Sequence, residues 1–210
     1  MKLYLSSYRI PNPARLFELI GKEPSEIRTA VVPNAKDYYS DFVKGLKNKE
    51  LLKDLEFIGL TNCETLDLNK FSVSKSDELR NKLKEFDLIW VNGGNTFCLR
   101  YAMRKSGFDR IITDVLDGGV VYGGESAGAI VAGDTMHGAE FADQPEFTEE
   151  QIYDGLNLVE SFIVPHTDSP KYAEVKAQII DTQKDHPSVV QLKDSEALVV
   201  DGEDRAIVSS

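Results

Sequence analysis

The chain has 210 residues and a mass of 23.4 kDa, a length that suits one domain over residues 1–210 with a large core. Its hydrophobic fraction of 41% and charged fraction of 28% are typical of a globular protein and exclude a disordered chain. Its net charge of -11 argues against binding to nucleic acid or to an anionic membrane surface.

The N-terminal residues are too few and too polar for a signal peptide, so we expect a cytoplasmic protein. The two cysteines, Cys63 and Cys98, have neither metal-ligand spacing nor a secretory context. We therefore expect no disulfide, no metal and no other cofactor.

Short apolar runs alternate with longer amphipathic stretches in the first part of the chain. The runs predict strands at Leu3–Tyr8, Thr29–Pro33, Leu55–Leu60, Asp87–Asn92 and Val120–Tyr122. Apolar residues three and four apart predict helices at Pro13–Ile20, Tyr38–Leu52, Ser76–Glu85, Thr96–Lys105 and Phe108–Leu116. This order predicts an α/β fold, a mostly parallel sheet with helices on both faces.

Residues 134–155 are polar and acidic and lack periodicity, which predicts an excursion over the surface. Beyond it, the pattern predicts one helix, Tyr172–Lys184, and strands at Glu160–Pro165, Ser188–Leu192, Ala197–Val200 and Ala206–Ser209. The last two strands are expected to form a hairpin.

Ser126 lies in the most distinctive motif, Gly-Glu-Ser-Ala-Gly at residues 124–128, between an apolar strand and a helix. A serine at the apex of such a turn is exposed, and the first N–H groups of the next helix are unpaired beneath it. The motif indicates a nucleophilic serine on an elbow, the alternative being a loop whose serine caps the helix.

A serine nucleophile needs a base, and the chain has three histidines. His137 lies in the polar excursion, and His186 lies in a turn after a helix. His166 instead follows an apolar strand, so it falls at the carboxyl end of a strand, as Ser126 does. We expect these two side chains to meet across one crevice; the alternative is that His166 only ends a strand.

The base also needs a carboxylate partner. Asp194 is the first candidate because it again follows a strand, with Glu196 close behind it. Asp143 in the excursion and Asp168 near the histidine are the alternatives, and a solvated turn remains the other interpretation of Asp194.

Gly93-Gly94-Asn95-Thr96 forms a second glycine turn between a strand and a helix. Its N–H groups can supply an oxyanion donor beside that of Ala127, or bind a phosphate. The glycine fingerprints of dinucleotide-binding folds and of P-loops are missing.

These ordered motifs, together with Pro165-His166 and with Asp194 before Ala197-Leu198, resemble the S51 serine peptidases. That family includes aspartyl dipeptidase (peptidase E) and cyanophycinase. The resemblance covers nearly the whole chain and implies a fold related to the class I glutamine amidotransferases, which is flavodoxin-like, with serine in place of the elbow cysteine.

The resemblance also implies a role for each matching residue. Ser126 would attack the peptide carbonyl and His166 would act as the base. Asp194 would be the acid, and Gly94 and Ala127 would donate to the oxyanion.

The accessory candidates are Asn95, Glu125, Asp143 and Glu196. Asp143 is the match to an aspartate considered important in the family. Glu125 is a departure, because relatives carry aromatic or small residues before the nucleophile. Aspartyl recognition in peptidase E uses a basic residue, for which the candidates are Lys171, Lys176, Arg100 and Arg104.

We therefore expect a serine exopeptidase of the dipeptidase E type, with a small peptide as substrate, an N-terminal Asp-Xaa peptide among the candidates. We expect a monomer or homodimer with no nucleic-acid or membrane partner. The alternatives are a catalytically inactive binding or regulatory relative, and an esterase of the α/β-hydrolase type that uses His186.

Overall fold

A computed structural model describes residues 1–210. Its strands are Lys2–Ser6 (β1), Arg28–Val32 (β2), Asn62–Thr65 (β3), Leu88–Val91 (β4), Val121–Glu125 (β5), Phe162–Val164 (β6), Val189–Gln191 (β7), Glu196–Asp201 (β8) and Asp204–Ser209 (β9). Its helices are Pro13–Ile20 (α1), Asp41–Phe57 (α2), Ser76–Leu83 (α3), Thr96–Ser106 (α4), Phe108–Asp117 (α5), Ala127–Ile130 (α6) and Ala173–Thr182 (α7). None of these helices is long and apolar enough to cross a bilayer.

Seven strands form the main sheet in the order β3-β2-β4-β5-β1-β8-β9. The first five of these pair in parallel, whereas β8 and β9 form the expected antiparallel hairpin at one edge. The prediction of a mostly parallel sheet is confirmed. The register of β1 on β5 pairs Ser6 with Glu125, so the end of β1 lies beside the turn that carries Ser126.

Alternating side chains of the strands point to two separate cores, one on each face of the sheet. Leu3 and Leu5 of β1 belong to the larger core, which α3, α4, α5 and α6 cover. Tyr4, between them in sequence, packs into the smaller core with residues of α1 and α2. Helices therefore cover both faces, as predicted.

The strand predicted at Leu55–Leu60 is wrong. Helix α2 continues to Phe57, and its residues Leu51 and Leu55, one turn apart, are both buried against the sheet. The strand follows at β3, an edge strand whose residues are mostly exposed. Because an exposed edge strand needs few apolar residues, the apolar signal lay in the preceding helix instead.

The strand before His166 belongs to a second sheet, in which β6 pairs in parallel with β7 alone. The pairing continues past the strand ends, where the N–H of Thr167 donates to the carbonyl of Leu192 at 3.0 Å. The segments that follow β6 and β7 are therefore neighbours, which brings His166 and Asp194 together.

The predicted excursion at residues 134–155 is built into the molecule more firmly than a surface loop. An antiparallel bridge joins Thr135 to Asp154, and Met136 and Ala139 are buried in the larger core. The segment thereby reaches the N-terminus of α4, beside the Gly93-Gly94 turn.

Candidate active site

Ser126 sits at a tight turn between β5 and α6, with a backbone φ of 52° and ψ of -111°. This conformation is strained for a residue with a side chain. The flanking glycines make the turn possible: a Cβ on Gly124 would lie 2.4 Å from the carbonyl oxygen of Gly128, and a Cβ on Gly128 would lie 2.3 Å from that of Val91. No side chain fits at either position.

A continuous line of hydrogen bonds runs from Ser126 through His166 to Asp194. The imidazole Nε2 of His166 lies 2.9 Å from the Ser126 hydroxyl, and its Nδ1 lies 2.6 Å from Oδ1 of Asp194. In the neutral imidazole, Nδ1–H donates to the carboxylate and Nε2 accepts the serine proton. Tyr172 stacks on the ring with centroids 4.8 Å apart, so the imidazole plane is held on its face as well as at its edges.

Ser7 is a member of this network that sequence reasoning missed. Its hydroxyl accepts a hydrogen bond from the backbone N–H of His166 at 2.7 Å and donates one to Oδ1 of Asp194 at 3.0 Å. Ser7 is fully buried at the end of β1. One hydroxyl thus links the histidine backbone to the carboxylate that bonds to its side chain.

The other acidic candidates have different partners. Asp168 accepts a hydrogen bond from the backbone N–H of Asp194 at 2.9 Å, so it supports the loop that carries the acid. Glu196 accepts one from the N–H of Lys193 and does not contact His166. Asp194 is the carboxylate that the structure brings to the imidazole.

The other two histidines are also engaged elsewhere. The imidazole of His186 bonds to the carboxylate of Asp134 at 2.9 Å. His137 is exposed and stacks on Tyr153, with 4.6 Å between ring centroids. Of the three imidazoles, only that of His166 contacts Ser126.

Two backbone N–H groups beside Ser126 donate no hydrogen bond to the protein, those of Gly94 and Ala127. The Gly93-Gly94 turn packs directly on the serine, because a Cβ on Gly93 would lie 3.0 Å from the Cβ of Ser126. Gly94 has a φ of 152°, and a Cβ there would lie 2.3 Å from the carbonyl oxygen of Ala35. The geometry suits an oxyanion site.

Glu125 is buried beneath the turn and forms part of the wall of the cleft in front of Ser126. Its carboxylate accepts hydrogen bonds from the N–H of Arg9 at 2.9 Å and from the Arg9 guanidinium at 3.1 Å. A third, longer bond of 3.4 Å comes from the N–H of Gly93. Glu125 therefore joins the loop after β1, the glycine turn and the strand that carries the serine.

Asp143 reaches the site from the excursion. Its Oδ2 accepts hydrogen bonds from the N–H of Thr96 at 2.8 Å and from the Thr96 hydroxyl at 2.5 Å, at the N-terminus of α4. Burial raises the pKa of the Asp143 carboxyl, although both bonds from Thr96 oppose this. Asn95 caps the same helix and donates to the carbonyl of Gln144 at 3.0 Å, which fixes the excursion in place.

Two pockets meet at Ser126, and both are lined by Gly94, His166 and Tyr172. The smaller is largely apolar, about 50 Å³ in volume, and has Asp143 in its wall. The larger is an open cleft of about 380 Å³ whose walls are mostly polar and aromatic.

The basic residues considered from the sequence fall into two groups. Lys171 lines the larger cleft and Lys176 the smaller pocket. Arg100 and Arg104 instead pair with Asp109, at 3.0 and 2.8 Å. The larger cleft is also lined by Arg9, Lys36 and Lys47. Sequence reasoning missed these three cations, because a lysine or arginine among polar residues resembles any surface cation.

Comparison with known proteins identifies the family of this chain. The model of peptidase family S51 matches residues 14–208. An uncharacterised peptidase of Listeria monocytogenes is 29% identical over 190 residues, which cover 89% of this chain and 85% of the relative. Peptidase E of Actinobacillus pleuropneumoniae is 34% identical over 108 residues, which cover 51% of this chain and 45% of that enzyme.

Solved structures show the same fold. The crystal structure of a Listeria monocytogenes protein proposed to be a peptidase E superposes with a TM-score of 0.83 at 25% identity, over 100% of this chain and 98% of that one. A peptidase from an acI-B1 actinobacterium has a TM-score of 0.70 at 19% identity, over 100% of this chain and 87% of that one. With the family model matched over nearly its whole length, the chain belongs to peptidase family S51.

Proposed function

We propose that this peptidase is a serine exopeptidase that hydrolyses short peptides through an acyl-enzyme on Ser126. The observation that carries the proposal is the hydrogen-bonded line from the Ser126 hydroxyl to the His166 imidazole, 2.9 Å, and on to Asp194, 2.6 Å. Nucleophile, base and orienting acid within hydrogen-bond reach are the arrangement that activates a serine.

In the proposed reaction, Nε2 of His166 takes the Ser126 proton while Oγ bonds to the scissile carbonyl carbon. The resulting oxyanion accepts hydrogen bonds from the N–H groups of Gly94 and Ala127. The C–N bond then breaks, and His166 gives its proton to the leaving amine. A water molecule, deprotonated by the same imidazole, attacks the ester, and the released serine recovers its proton.

Asp143 supports an exopeptidase rather than an endopeptidase. Its Oδ1 accepts no hydrogen bond from the protein, and the residue lines the small pocket beside Ser126. A carboxylate in that position can pair with the α-ammonium of a free N-terminus, which a peptide bond inside a longer chain does not offer. An N-terminal aspartate would need a cation nearby, for which Lys171 and Lys176 are the candidates.

The proposal is tested with a dipeptide library, Asp-Ala included, and with a fluorophosphonate probe. We expect the wild type to hydrolyse a subset of the dipeptides and the probe to label Ser126. Ser126→Ala should abolish labelling and reduce hydrolysis by several orders of magnitude. A folded wild type that neither reacts with the probe nor cleaves any dipeptide would instead be an inactive binding relative.

A further inference from the structure

Lys36 is a buried lysine without an anionic partner. The residue is only 9% exposed, yet its side chain forms no ion pair and no hydrogen bond, although it lines the larger cleft together with Ser126. Lysine is almost never fully buried unless it is paired. Burial lowers the pKa of the Lys36 ammonium, and Arg9 and Lys47 lower it further against the opposing effect of Glu125.

The charges around Lys36 favour an anion in the cleft. Four cations line it, Arg9, Lys36, Lys47 and Lys171, against the two carboxylates of Glu50 and Glu125. Glu125 is already paired with Arg9 at 3.1 Å, so Glu50 is the remaining carboxylate among three lysines. A cleft with more cations than carboxylates attracts anions, even in a chain of net charge -11.

The Gly93-Gly94 turn fixes the position of Lys36 relative to Ser126. The carbonyl oxygen of Ala35, the preceding residue, accepts a hydrogen bond from the N–H of Asn95 at 2.7 Å and packs against Gly94. Lys36 therefore enters the cleft from beside the Gly93-Gly94 turn, whereas Asp143 lines the other pocket at Ser126.

The smaller pocket has one carboxylate, Asp143, and one ammonium, that of Lys176, which already donates to the carbonyl of Thr167 at 2.7 Å. Oδ1 of Asp143 is therefore free to bind a cation there, whereas cations outnumber carboxylates in the larger cleft. A dipeptide carries a pair of opposite charges at its two ends, an ammonium before the scissile bond and a carboxylate after it. With the ammonium at Asp143, the leaving residue occupies the larger cleft.

We propose that Lys36, assisted by Lys47, binds the free α-carboxylate of the leaving residue and so restricts this peptidase to dipeptides. The inference rests on the proposed function and adds a specificity residue to it. Binding an anion supplies the partner that the Lys36 ammonium lacks, and longer peptides lose this contact because their carboxylate lies further along the chain.

The test compares the best-cleaved Xaa-Ala dipeptide with its C-terminal amide, Xaa-Ala-NH2, and with Xaa-Ala-Ala. The wild type should favour the dipeptide over the amide by about 10- to 100-fold in kcat/KM, the usual effect of one hydrogen bond to a charged group. Lys36→Met should remove most of that preference by slowing dipeptide hydrolysis, and should leave the amide nearly unchanged. Lys44→Met is the matched control, because it removes the same charge from a lysine that pairs with Asp37 outside the cleft.

Equal hydrolysis of dipeptide and amide by the wild type would overturn the inference, and this comparison does not depend on any variant folding. An effect of Lys36→Met confined to substrates with acidic side chains would also overturn it, in favour of side-chain recognition. In either case Ser126 would still react with the probe. Loss of both labelling and hydrolysis in the wild type would overturn the proposed function and this inference with it.

Discussion

Replacing Ser7 with alanine tests whether the end of β1 positions the proposed catalytic histidine. The Ser7 hydroxyl contacts His166 N–H at 2.7 Å and Asp194 Oδ1 at 3.0 Å, and alanine removes both bonds. The His166 N–H would be left without an acceptor, which costs about 1–3 kcal/mol. Asp194 is 42% exposed, so water replaces much of its lost bond. We therefore expect a loss of about 2 kcal/mol in unfolding free energy and a fall in Tm of roughly 4–8 °C.

The loss of activity should exceed what this loss of stability explains. The hydrogen bond from His166 N–H helps to hold that residue at a φ of 59°, and a shift of the segment moves Nε2 away from Ser126. Misplacement by about 1 Å costs on the order of 100-fold in rate. We expect Ser7→Ala to lower kcat about 10- to 100-fold with little change in KM, and to slow fluorophosphonate labelling of Ser126 in parallel.

Ser106→Ala is the matched control for this experiment. Ser106 is equally buried, and its hydroxyl also accepts from a backbone N–H, that of Phe108, and donates to a carbonyl, that of Met103. It lies at the end of α4, outside the residues that line the cleft. Both variants should lose stability, and only Ser7→Ala should lose labelling rate when both are measured well below their Tm. Equal labelling rates in the two folded variants would refute the positioning role.

Two further predictions concern Gly94 in the Gly93-Gly94 turn and Asp143 in the smaller pocket. Gly94→Ala places a Cβ 2.3 Å from the carbonyl oxygen of Ala35. We expect stability lower by about 2–4 kcal/mol in thermal unfolding and kcat lower by about 100-fold or more. Unchanged kinetics would show that the N–H of Gly94 is not an oxyanion donor. Asp143→Asn should raise Tm at neutral pH, because burial raises the pKa of the native carboxyl and its charged form is destabilising. This gain in Tm should shrink as pH falls through that raised pKa, and a gain independent of pH would contradict the reasoning. The same substitution should also slow hydrolysis of peptides with a free N-terminus.

The sequence predicted most of the fold because each strand of the parallel sheet is a short apolar run between turn formers. Both glycine turns could also be predicted from the sequence, because only glycine fits at their tight positions: no Cβ fits at Gly94, Gly124 or Gly128. The strand near residue 60 could not be placed in the same way. Leu51 and Leu55 bury one face of α2, whereas the edge strand β3 that follows has almost no apolar signal.

The residues that sequence reasoning missed are those whose surroundings come from distant parts of the chain. Nothing in the sequence near Ser7 marks it as part of the site. It reaches His166 only because β1 pairs with β5 and β8, and because the loop after β6 lies against the end of β1. Lys36 is unusual only because the fold buries it without a partner. Local patterns carry neither fact, because the hydrogen bond between His166 and Ser7 joins residues 159 apart, and the carbonyl next to Lys36, that of Ala35, is bound by Asn95 from another segment.

The two strained residues of the candidate site are held by consecutive residues of β1 and the turn after it. Ser126 and His166 have φ values of 52° and 59°, both in the region that side chains disfavour. The N–H of Ser126 donates to the carbonyl of Ser6 at 3.0 Å, and the N–H of His166 donates to the Ser7 hydroxyl at 2.7 Å.

Ser126 and His166 follow strands of two different sheets, so pairing within either sheet cannot set the distance between their side chains. The Ser6-Ser7 pair does so by anchoring one backbone through a main-chain carbonyl and the other through a hydroxyl. The 2.9 Å contact between Oγ and Nε2 thus depends on the end of β1. For this reason we expect Ser7, which lies outside the proposed triad, to affect the reactivity of Ser126. The loss of reactivity in Ser7→Ala should be larger than the loss of its two hydrogen bonds explains through stability alone.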